Sequence, residues 1–229
     1  MSLSGLGVVA IWHNLLPEAK EEFYEWHNRE HMPERAGIPG FHRGRRFIAL
    51  EGEPEFFNLY EADSVEVLGG QDYLNRLNTP TPWTRQVVAS FRDVSRSILR
   101  IAYTGGVGQG GVMLTQRFDL PAEERPKGVE LLSQMVFPKV IAQTGIAGAH
   151  FGLADEAISK VETAEKKARA DATLVPNWVV MIEGVSAAHV RKAGALVIDG
   201  LAEAGLGTPV DTSIYQLEYA RCKTPWSAG

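Results

Sequence analysis

The sequence predicts an α+β fold that contains two tandem β-α-β-β-α-β units. Two observations support this prediction: short segments of the N-terminal half return later in the same order, and both copies alternate β-rich runs with helical stretches in one pattern. The strongest match pairs IPGFHRG at 38–44 with IAGAHFG at 146–152, which aligns His42 with His150. The further matches are LLPEAKEE with DLPAEERP, YEADS with IEGVS, and RDVS with VDTS.

The elements of the first unit can be assigned in order. It opens with the β-rich run GVVAIWHNL, and Pro17 then suits the first position of a helix, with glutamates where carboxylates stabilise a helix N-terminus. We expect this helix to end near Pro33. The runs GFHRGRRFIAL and EFFNLYEAD predict two middle strands joined by the turn EGEPE. A second helical region at about 65–91, interrupted by NTPTP, leads to a fourth strand, SILRIAY.

The second unit repeats this order after the glycine-rich segment TGGVGQGG at 104–111. We therefore place the two units at residues 1–106 and 107–229. The strands of the second unit are predicted in GVMLTQRFDL, AGAHFGLAD, NWVVMIEGVS and TSIYQLEYA, with helices from Pro121 to about Gln143 and near 187–204. This unit also carries an insertion at 156–176, whose charged and alanine-rich composition predicts a solvated helix or a flexible excursion.

A β-α-β-β-α-β unit is the ferredoxin-like motif, an antiparallel sheet with helices on one face. The other face of the sheet also carries apolar side chains that must be kept from water. Two such sheets that pack face to face meet this need, and the two copies supply both sheets within one chain. The predicted fold class is therefore α+β, with two tandem ferredoxin-like units whose antiparallel sheets pack face to face.

Composition and charge argue against some functions. The formal net charge is −5, and the basic stretch HRGRR at 42–46 is short, which argues against a nucleic-acid partner. No apolar run reaches the length that spans a bilayer, so we expect no membrane partner. Cys222 is the only cysteine, and a chain that cannot form an internal disulfide fits a reducing compartment. We therefore expect a cytoplasmic protein.

The stretch WHNREHMPERAGIPGFHRGRR, from Trp26 to Arg46, resembles EthD-like proteins of the dimeric α+β barrel superfamily. The segment RLNTPTPWTR at 76–85 is also similar to bacterial members of that superfamily. The resemblance covers the first unit well and the second in outline, and it implies the fold described above. It leaves the activity open, because these relatives include cofactor-free monooxygenases, lactone isomerases, polyketide cyclases and haem enzymes.

The first helix carries the candidate catalytic residues. At about 100° per residue, His27 and Glu30 fall on its apolar face and His31 lies on the flank of that face. The stripe that packs on the sheet thus becomes polar in its last turns, and buried polar groups are costly unless they have partners. We interpret His27, Glu30 and His31 as candidate acid–base groups.

The second unit serves as an internal control for this interpretation. An alignment through the prolines at 33 and 138 matches His27 with Leu132, Glu30 with Met135, and His31 with Val136. The fold therefore does not require polar residues at these positions, which favours a function for those of the first unit. A structural alternative stays open, in which Glu30 forms an ion pair with an arginine at 35, 43 or 46.

The remaining candidate residues are aromatic or basic and are expected to bind the ligand. An aromatic pocket beside the first helix is expected to contain Trp12, Trp26, Phe57 and Tyr60. Strand alternation places His42 and Arg46 on one face, so both are candidates for contact with the ligand. The recurrence of a histidine at 150 also fits a structural task for His42.

Three functions are compatible with these residues. We favour a cofactor-free enzyme of the isomerase, lyase, cyclase or monooxygenase type, acting on a small apolar or aromatic molecule by His/Glu acid–base chemistry. The first alternative is a protein that binds such a molecule without turnover. The second is a metal-dependent enzyme, because His27 and His31 have the H-x-x-E-H spacing of some zinc enzymes, with His42 available as a third ligand. We expect no cofactor, and we expect association into homodimers through sheet edges or helices.

Overall fold

A computed structural model of the chain describes residues 2–169, 173–207 and 210–223. Its sheet contains β1 Gly7–Leu15, β2 Phe41–Glu51, β3 Phe56–Ala62, β4 Phe91–Gly106, β5 Val112–Phe118, β6 Ile146–Ala154, β7 Trp178–Gly184 and β8 Asp211–Cys222. These strands form a closed barrel in the order β1-β3-β2-β8-β5-β7-β6-β4, and all neighbours are antiparallel.

Helices cover the outside of the barrel. The α-helices are α1 Lys20–Trp26, α2 Met32–Gly37, α3 Val65–Leu68, α4 Gln71–Asn78, α5 Pro82–Val88, α6 Arg125–Leu131, α7 Phe137–Ile141, α8 Glu156–Ser159, α9 Ala164–Lys167 and α10 Ala187–Glu203. A 3-10 turn at Pro17–Ala19 precedes α1, and π-helical segments connect α1 with α2 and α6 with α7. Among the described residues, no helix combines the length and the apolar character needed to cross a membrane.

Each half of the barrel is a four-stranded sheet with the same strand order. The first sheet runs β4-β1-β3-β2 and the second β8-β5-β7-β6, and the pairs β2–β8 and β4–β6 join them along both edges. This is the architecture of the dimeric α+β barrel, and the predicted fold class is confirmed. Because every described strand has two neighbours, the free sheet edges that we expected to support self-association are absent from the described part of the chain.

The sheet separates three apolar cores. Side chains on the inner face of the strands, including Trp12, Phe57 and Tyr215, fill the barrel. Outside each half, the helices cover a further core, because alternate residues of every strand point outwards. The candidate catalytic helix lies over the first of these outer cores. A site formed by its residues would therefore lie between the helices and the sheet of the first half.

The insertion does not form the solvated excursion that its composition predicted. It folds into α8 and α9, which pack against the first half, and the side chains of Glu165 and Arg169 are buried there. Ser159 accepts a hydrogen bond from the backbone nitrogen of Ile98 at 2.9 Å. The charged side chains can be buried because Glu165 forms an ion pair with Arg35 of α2. Residues 170–172 of the insertion lie outside the described residues.

The strand pairing also corrects the alignment of the two halves. The ladders of β2 with β3 and of β6 with β7 place Arg45 and His150 at the same step. The alignment of His42 with His150 is therefore wrong by three residues. The cause is where the strands begin within the matched segments. Strand β6 begins at Ile146, the first residue of its segment, whereas β2 begins at Phe41, the fourth residue of the matching segment.

Candidate functional site

The helix that carries the candidate histidines widens at their position. Between α1 and α2, residues His27–His31 form a π-helical segment, and Leu132–Val136 form the same segment in the second half. The two segments occupy equivalent places, so the alignment of His27 with Leu132 is correct and the π turn belongs to the fold. A wheel at about 100° per residue placed His31 on the flank, but the wider turn brings both histidines onto the sheet side. His27 is 2% exposed and His31 is 6% exposed.

His27 lies in a hydrogen-bonded series that fixes its tautomer. Arg46 of β2 donates from Nη1 to Nδ1 of His27 at 3.0 Å, and Nε2 of His27 lies 2.9 Å from the hydroxyl of Tyr60 on β3. A guanidinium can only donate, so Nδ1 must be the acceptor and Nε2 carries the hydrogen that is donated to Tyr60. Burial and the positive charge of Arg46 hold the pKa of His27 well below 6.5. His27 is therefore a neutral imidazole at neutral pH.

Arg46 is itself held in place from several sides. It also donates to the side-chain oxygen of Asn28 at 2.9 Å and to Glu218 of β8 at 3.0 Å. Its guanidinium lies 4.7 Å from the ring centroid of Tyr24. Because these contacts fix the guanidinium, they also fix the orientation of the His27 ring.

Tyr60 and His31 are two neighbouring groups of the site that remain able to bond to a ligand. Tyr60 receives the hydrogen of His27, and no described residue accepts the hydrogen of its own hydroxyl. Burial raises the pKa of Tyr60, so the phenol stays protonated. His31 lies 6.0 Å from Tyr60 between ring centroids, and its buried Nδ1 has no hydrogen-bond partner among the described residues. Burial and the nearby charge of Arg35 lower the pKa of His31, which keeps this imidazole neutral.

Glu30 is not brought to His27. It accepts hydrogen bonds from the hydroxyls of Thr81 at 2.6 Å and Thr84 at 3.1 Å, at the start of α5. Thr84 also accepts a bond from the indole of Trp26 at 3.1 Å. The expected His27–Glu30 acid–base pair therefore does not form, because Glu30 points along the helix towards α5.

The structural alternative for Glu30 also needs correction. Each of the three arginines considered as its partner pairs with a different carboxylate: Arg35 with Glu34 and Glu165, Arg43 with Glu61, and Arg46 with Glu218. Glu30 instead holds the N-terminus of α5 against the π turn.

The expected aromatic pocket divides between the two faces of the sheet. Trp26 lies in the site, 4.3 Å from His31 between ring centroids. Trp12 and Phe57 stack on each other at 4.9 Å inside the barrel, on the opposite face from Tyr60. Phe57 and Tyr60 are an odd number of residues apart on one strand, so their side chains must point in opposite directions.

His42 also lies apart from the site. Its Nε2 lies 2.5 Å from a carboxylate oxygen of Asp63, and the side chain is half-exposed. The pairing of β2 with β3 shifts between Phe41 and Arg43, and this irregularity interrupts the alternation that was expected to align His42 with Arg46. His42 therefore contacts neither His27 nor His31.

His13 and Asn58 belong to the site, although the sequence reasoning did not select them. His13 on β1 is fully buried and stacks on Phe91 at 4.0 Å between ring centroids. It donates from Nδ1 to the carbonyl of Asn14, at 3.2 Å, and accepts from the amide of Asn58 at 2.9 Å. Burial lowers the pKa of His13 to about 3. Strand alternation in GVVAIWHNL, which aligns His13 with Val9 and Ile11, was the signal that could have identified it.

The second half has apolar residues at every equivalent position of this polar group. The equivalent pairs are His13 and Phe118, His27 and Leu132, His31 and Val136, Arg46 and Phe151, Asn58 and Val180, and Tyr60 and Ile182. All six second-half residues are buried in the apolar core of that half. The same architecture is thus built once with polar residues and once without them.

The geometry does not favour a metal site at the two histidines. Among the described residues, no group of three or more His, Cys, Asp or Glu side chains is arranged to hold a metal ion. Both nitrogens of His27 are engaged, by Arg46 and Tyr60, and His42 lies elsewhere. The arrangement is suited instead to hydrogen bonding and proton transfer by neutral groups.

Comparisons with known proteins identify the fold. No protein-family model matches the sequence, and no curated protein sequence is similar to it. A candidate monooxygenase from Fusobacterium nucleatum subsp. nucleatum superposes with a TM-score of 0.61 at 8% identity over 96% of both chains. An anthrone oxidase-like protein gives 0.64 at 11% identity, over 97% of this chain and 96% of its own. A candidate monooxygenase from Lactobacillus acidophilus gives 0.59 at 9% identity, over 95% and 97%. At these identities the likeness establishes the dimeric α+β barrel fold alone.

Proposed function

We propose that this protein is a cofactor-free enzyme that transfers protons to and from a small aromatic or apolar molecule bearing a carbonyl or phenolic oxygen. The observation that carries the proposal is the buried series Arg46–His27–Tyr60. It leaves the hydroxyl hydrogen of Tyr60 without a described acceptor, 6.0 Å between ring centroids from His31, whose Nδ1 has no partner among the described residues. Buried polar groups without partners are uncommon in folded proteins, and the second half shows that folding does not require them here.

Each side chain has a distinct role in this proposal. Tyr60 donates a hydrogen bond to the substrate oxygen and stabilises negative charge as it develops there. His31, kept neutral by burial, accepts the proton that the substrate loses. His27 and Arg46 are positioning residues. Arg46 orients His27, and His27 donates a hydrogen bond to the hydroxyl oxygen of Tyr60 and so orients the phenol. Trp26 forms an apolar wall beside His31.

This chemistry is compatible with the reaction types named above. Isomerisation, elimination, cyclisation and cofactor-free oxygenation can each begin with loss of a proton from a position activated by a carbonyl or phenolic oxygen. The stretch at 26–46 supports EthD-like membership within the superfamily. One structural neighbour is described as anthrone oxidase-like. Anthrone is a flat aromatic ketone with the required features, and we take it as the first test compound.

The decisive experiment measures turnover of anthrone in wild type and in Tyr60→Phe, which removes one oxygen and keeps the ring. We expect turnover to fall by at least about 10²-fold, because a hydrogen bond to developing negative charge is lost. Tyr103→Phe, on the partly exposed side chain that stacks on Phe137 in the second half, is the matched control and should behave as wild type. Equal turnover in Tyr60→Phe and wild type would remove Tyr60 from the mechanism. Tight binding of anthrone without any turnover would favour the binding-protein alternative.

The proposal has three further parts. Residues 1–106 form the site-bearing unit, and residues 107–229 form the unit that closes the barrel and supplies the insertion. The protein acts in the cytoplasm, where its single cysteine stays reduced. Whole chains associate as homodimers through their helical faces, and light scattering should then give twice the mass of one chain.

A further inference from the structure

A narrow cleft lies between the insertion and the first half of the barrel. Leu74 and Leu77 of α4 form one wall, and Ile158 and Val161 of the insertion form the other. Arg96 of β4 and Arg169 of the insertion lie among these apolar walls, and both are buried. The free volume is about 10 Å³, which is room for at most about one water. A larger occupant would have to displace the insertion helices.

The cleft contains more buried positive than negative charge. Arg35, Arg96 and Arg169 are all buried, whereas Glu165 is the buried carboxylate beside them. Glu165 forms its closest contact with Arg35 and lies 3.6 Å from Arg169. One carboxylate is thus shared by two guanidiniums.

Arg35 also pairs with Glu34 at 3.0 Å, whereas the other contacts of Arg96 and Arg169 are neutral or weak. Arg96 donates to the hydroxyl of Tyr73 at 3.1 Å, and Arg169 contacts the hydroxyl of Thr173 at 3.4 Å. The buried Nε of Arg169 has no hydrogen-bond partner among the described residues. Burial lowers the pKa of Arg169, which reflects a cation with too little compensating negative charge. A buried cation of this kind is costly unless an anion joins it.

The cleft is linked to the proposed catalytic site through Glu165 and Arg35. Arg35 follows His31 by four residues on the same helical run, and Glu165 links Arg35 to Arg169. Burial lowers the pKa of His31, and the charges of Arg35 and Arg169 lower it further. A molecule that extended from the cleft along this link would bring its far end towards His31 and Tyr60.

We propose that the substrate is an acid whose carboxylate binds Arg169 and Arg96 beneath α8 and α9, while its apolar or aromatic body extends towards His31 and Tyr60. This inference rests on the proposed function and names the substrate class of the same site. The insertion supplies half of the anion site, so α8 and α9 close over the substrate after it enters.

The test compares matched acids and neutral analogues by titration calorimetry at constant ionic strength. The probes are benzoate, naphthoate and anthracene carboxylate, each paired with its primary amide. We expect at least one acid to bind wild type at least tenfold more tightly than its amide. The substitution Arg169→Met should reduce this preference to near parity, and Arg169→Lys should restore part of it. Arg85→Met, on an exposed side chain of α5, should leave the preference unchanged.

Two further variants change the other charged side chains of the cleft. Arg96→Met repeats the comparison if Arg169→Met fails to fold. Glu165→Gln removes the competing carboxylate and should increase the affinity for the acids. The inference is overturned if no acid is preferred over its amide, or if the preference survives loss of both arginines. Equal turnover of anthrone in wild type and Tyr60→Phe would contradict the proposed function and leave the anion site standing, so the two failures are distinguishable.

Discussion

The two halves of the barrel fill the same space in different ways. Between helices and sheet, the first half places the series Arg46–His27–Tyr60, flanked by His13 and His31, whereas the second half has only apolar side chains at these positions. Both halves nevertheless form the same strand order and the same π turn. The polar residues are therefore unnecessary for the architecture, and folding alone does not explain them. We assign them to binding and catalysis for this reason.

The largest expected effect comes from making the first half resemble the second. The triple variant His27→Leu, His31→Val and Tyr60→Ile should lose at least about 10³-fold in turnover, because both the proton acceptor and the oxygen-binding donor are removed. Its fold should persist, with the free energy of unfolding changed by at most about 3 kcal/mol, since lost ring volume opposes the gain from removing buried polar groups. Turnover assays and circular dichroism on the same samples measure both quantities. A triple variant that cannot fold would mean that the polar group is structural.

The next effect is the dependence of stability on pH, which arises from the buried histidines of the first half. Burial lowers the pKa of His13, His27 and His31, so below pH about 6.5 the unfolded chain takes up protons that the folded chain excludes. The stability that these neutral histidines contribute is therefore full above that pH and is lost as the pH falls. For His13 the loss continues down to about pH 3. Three such groups give a slope of up to about 4 kcal/mol per pH unit. Urea denaturation between pH 7 and 5 measures it.

A matched variant tests whether these histidines cause the slope. His13→Phe copies Phe118, the residue at the equivalent position of the second half, and should reduce the slope by about one third. The account is contradicted if stability is flat between pH 7 and 5, since buried neutral histidines require the loss.

The reverse exchange should destabilise the second half. Leu132→His puts an imidazole into an apolar core that contains no equivalent of Arg46 or Tyr60, and should cost about 2–4 kcal/mol. Met135→Glu makes the neighbouring exchange at a position that is 58% exposed and should change stability by less than about 0.5 kcal/mol. Chemical denaturation of both variants provides the comparison. If Leu132→His were as stable as wild type, the second half would tolerate polar groups without partners, and the contrast would lose its meaning.

The single variant His27→Leu should have only a small effect on stability. We expect a change within about 1.5 kcal/mol, because Leu132 already serves the same position and Arg46 keeps its contacts with Asn28 and Glu218. Turnover should still fall sharply, since the hydroxyl of Tyr60 loses its orienting donor. Thermal midpoint and turnover are measured together. A large loss of stability with intact turnover would reverse the assignment of His27.

The fold could be predicted because it depends on local patterns. Alternating apolar residues, the turn EGEPE and the proline that starts the first helix determine strands and helices with little help from distant contacts. The polar end of the first helix could be predicted for the same reason, and His27 was found in that way. Strand alternation in β3 also separates Phe57 from Tyr60, because residues three apart on a strand point to opposite faces.

Other features could not be predicted because they depend on tertiary contacts. The π turn that brings His31 to the sheet changes the helical phase, and the residue types of the segment do not predict this turn. The insertion was interpreted as solvated because Glu165 and Arg169 are charged, but their burial depends on Arg35, which is distant in sequence. Glu30 likewise bonds to Thr81 of a different helix.

The most direct test of the central claim is nitrogen NMR of the imidazole rings with and without a bound aromatic acid. At pH 7 and at pH 5.5, His27 should be neutral with its hydrogen on Nε2, and adding naphthoate should shift the Nδ1 signal of His31. His42 and His189 serve as internal controls, since they lie outside the polar group of the first half, and they should not respond. A His27 that titrates near pH 6.5, together with a His31 that ignores the ligand, would contradict the assignment of this polar group to function.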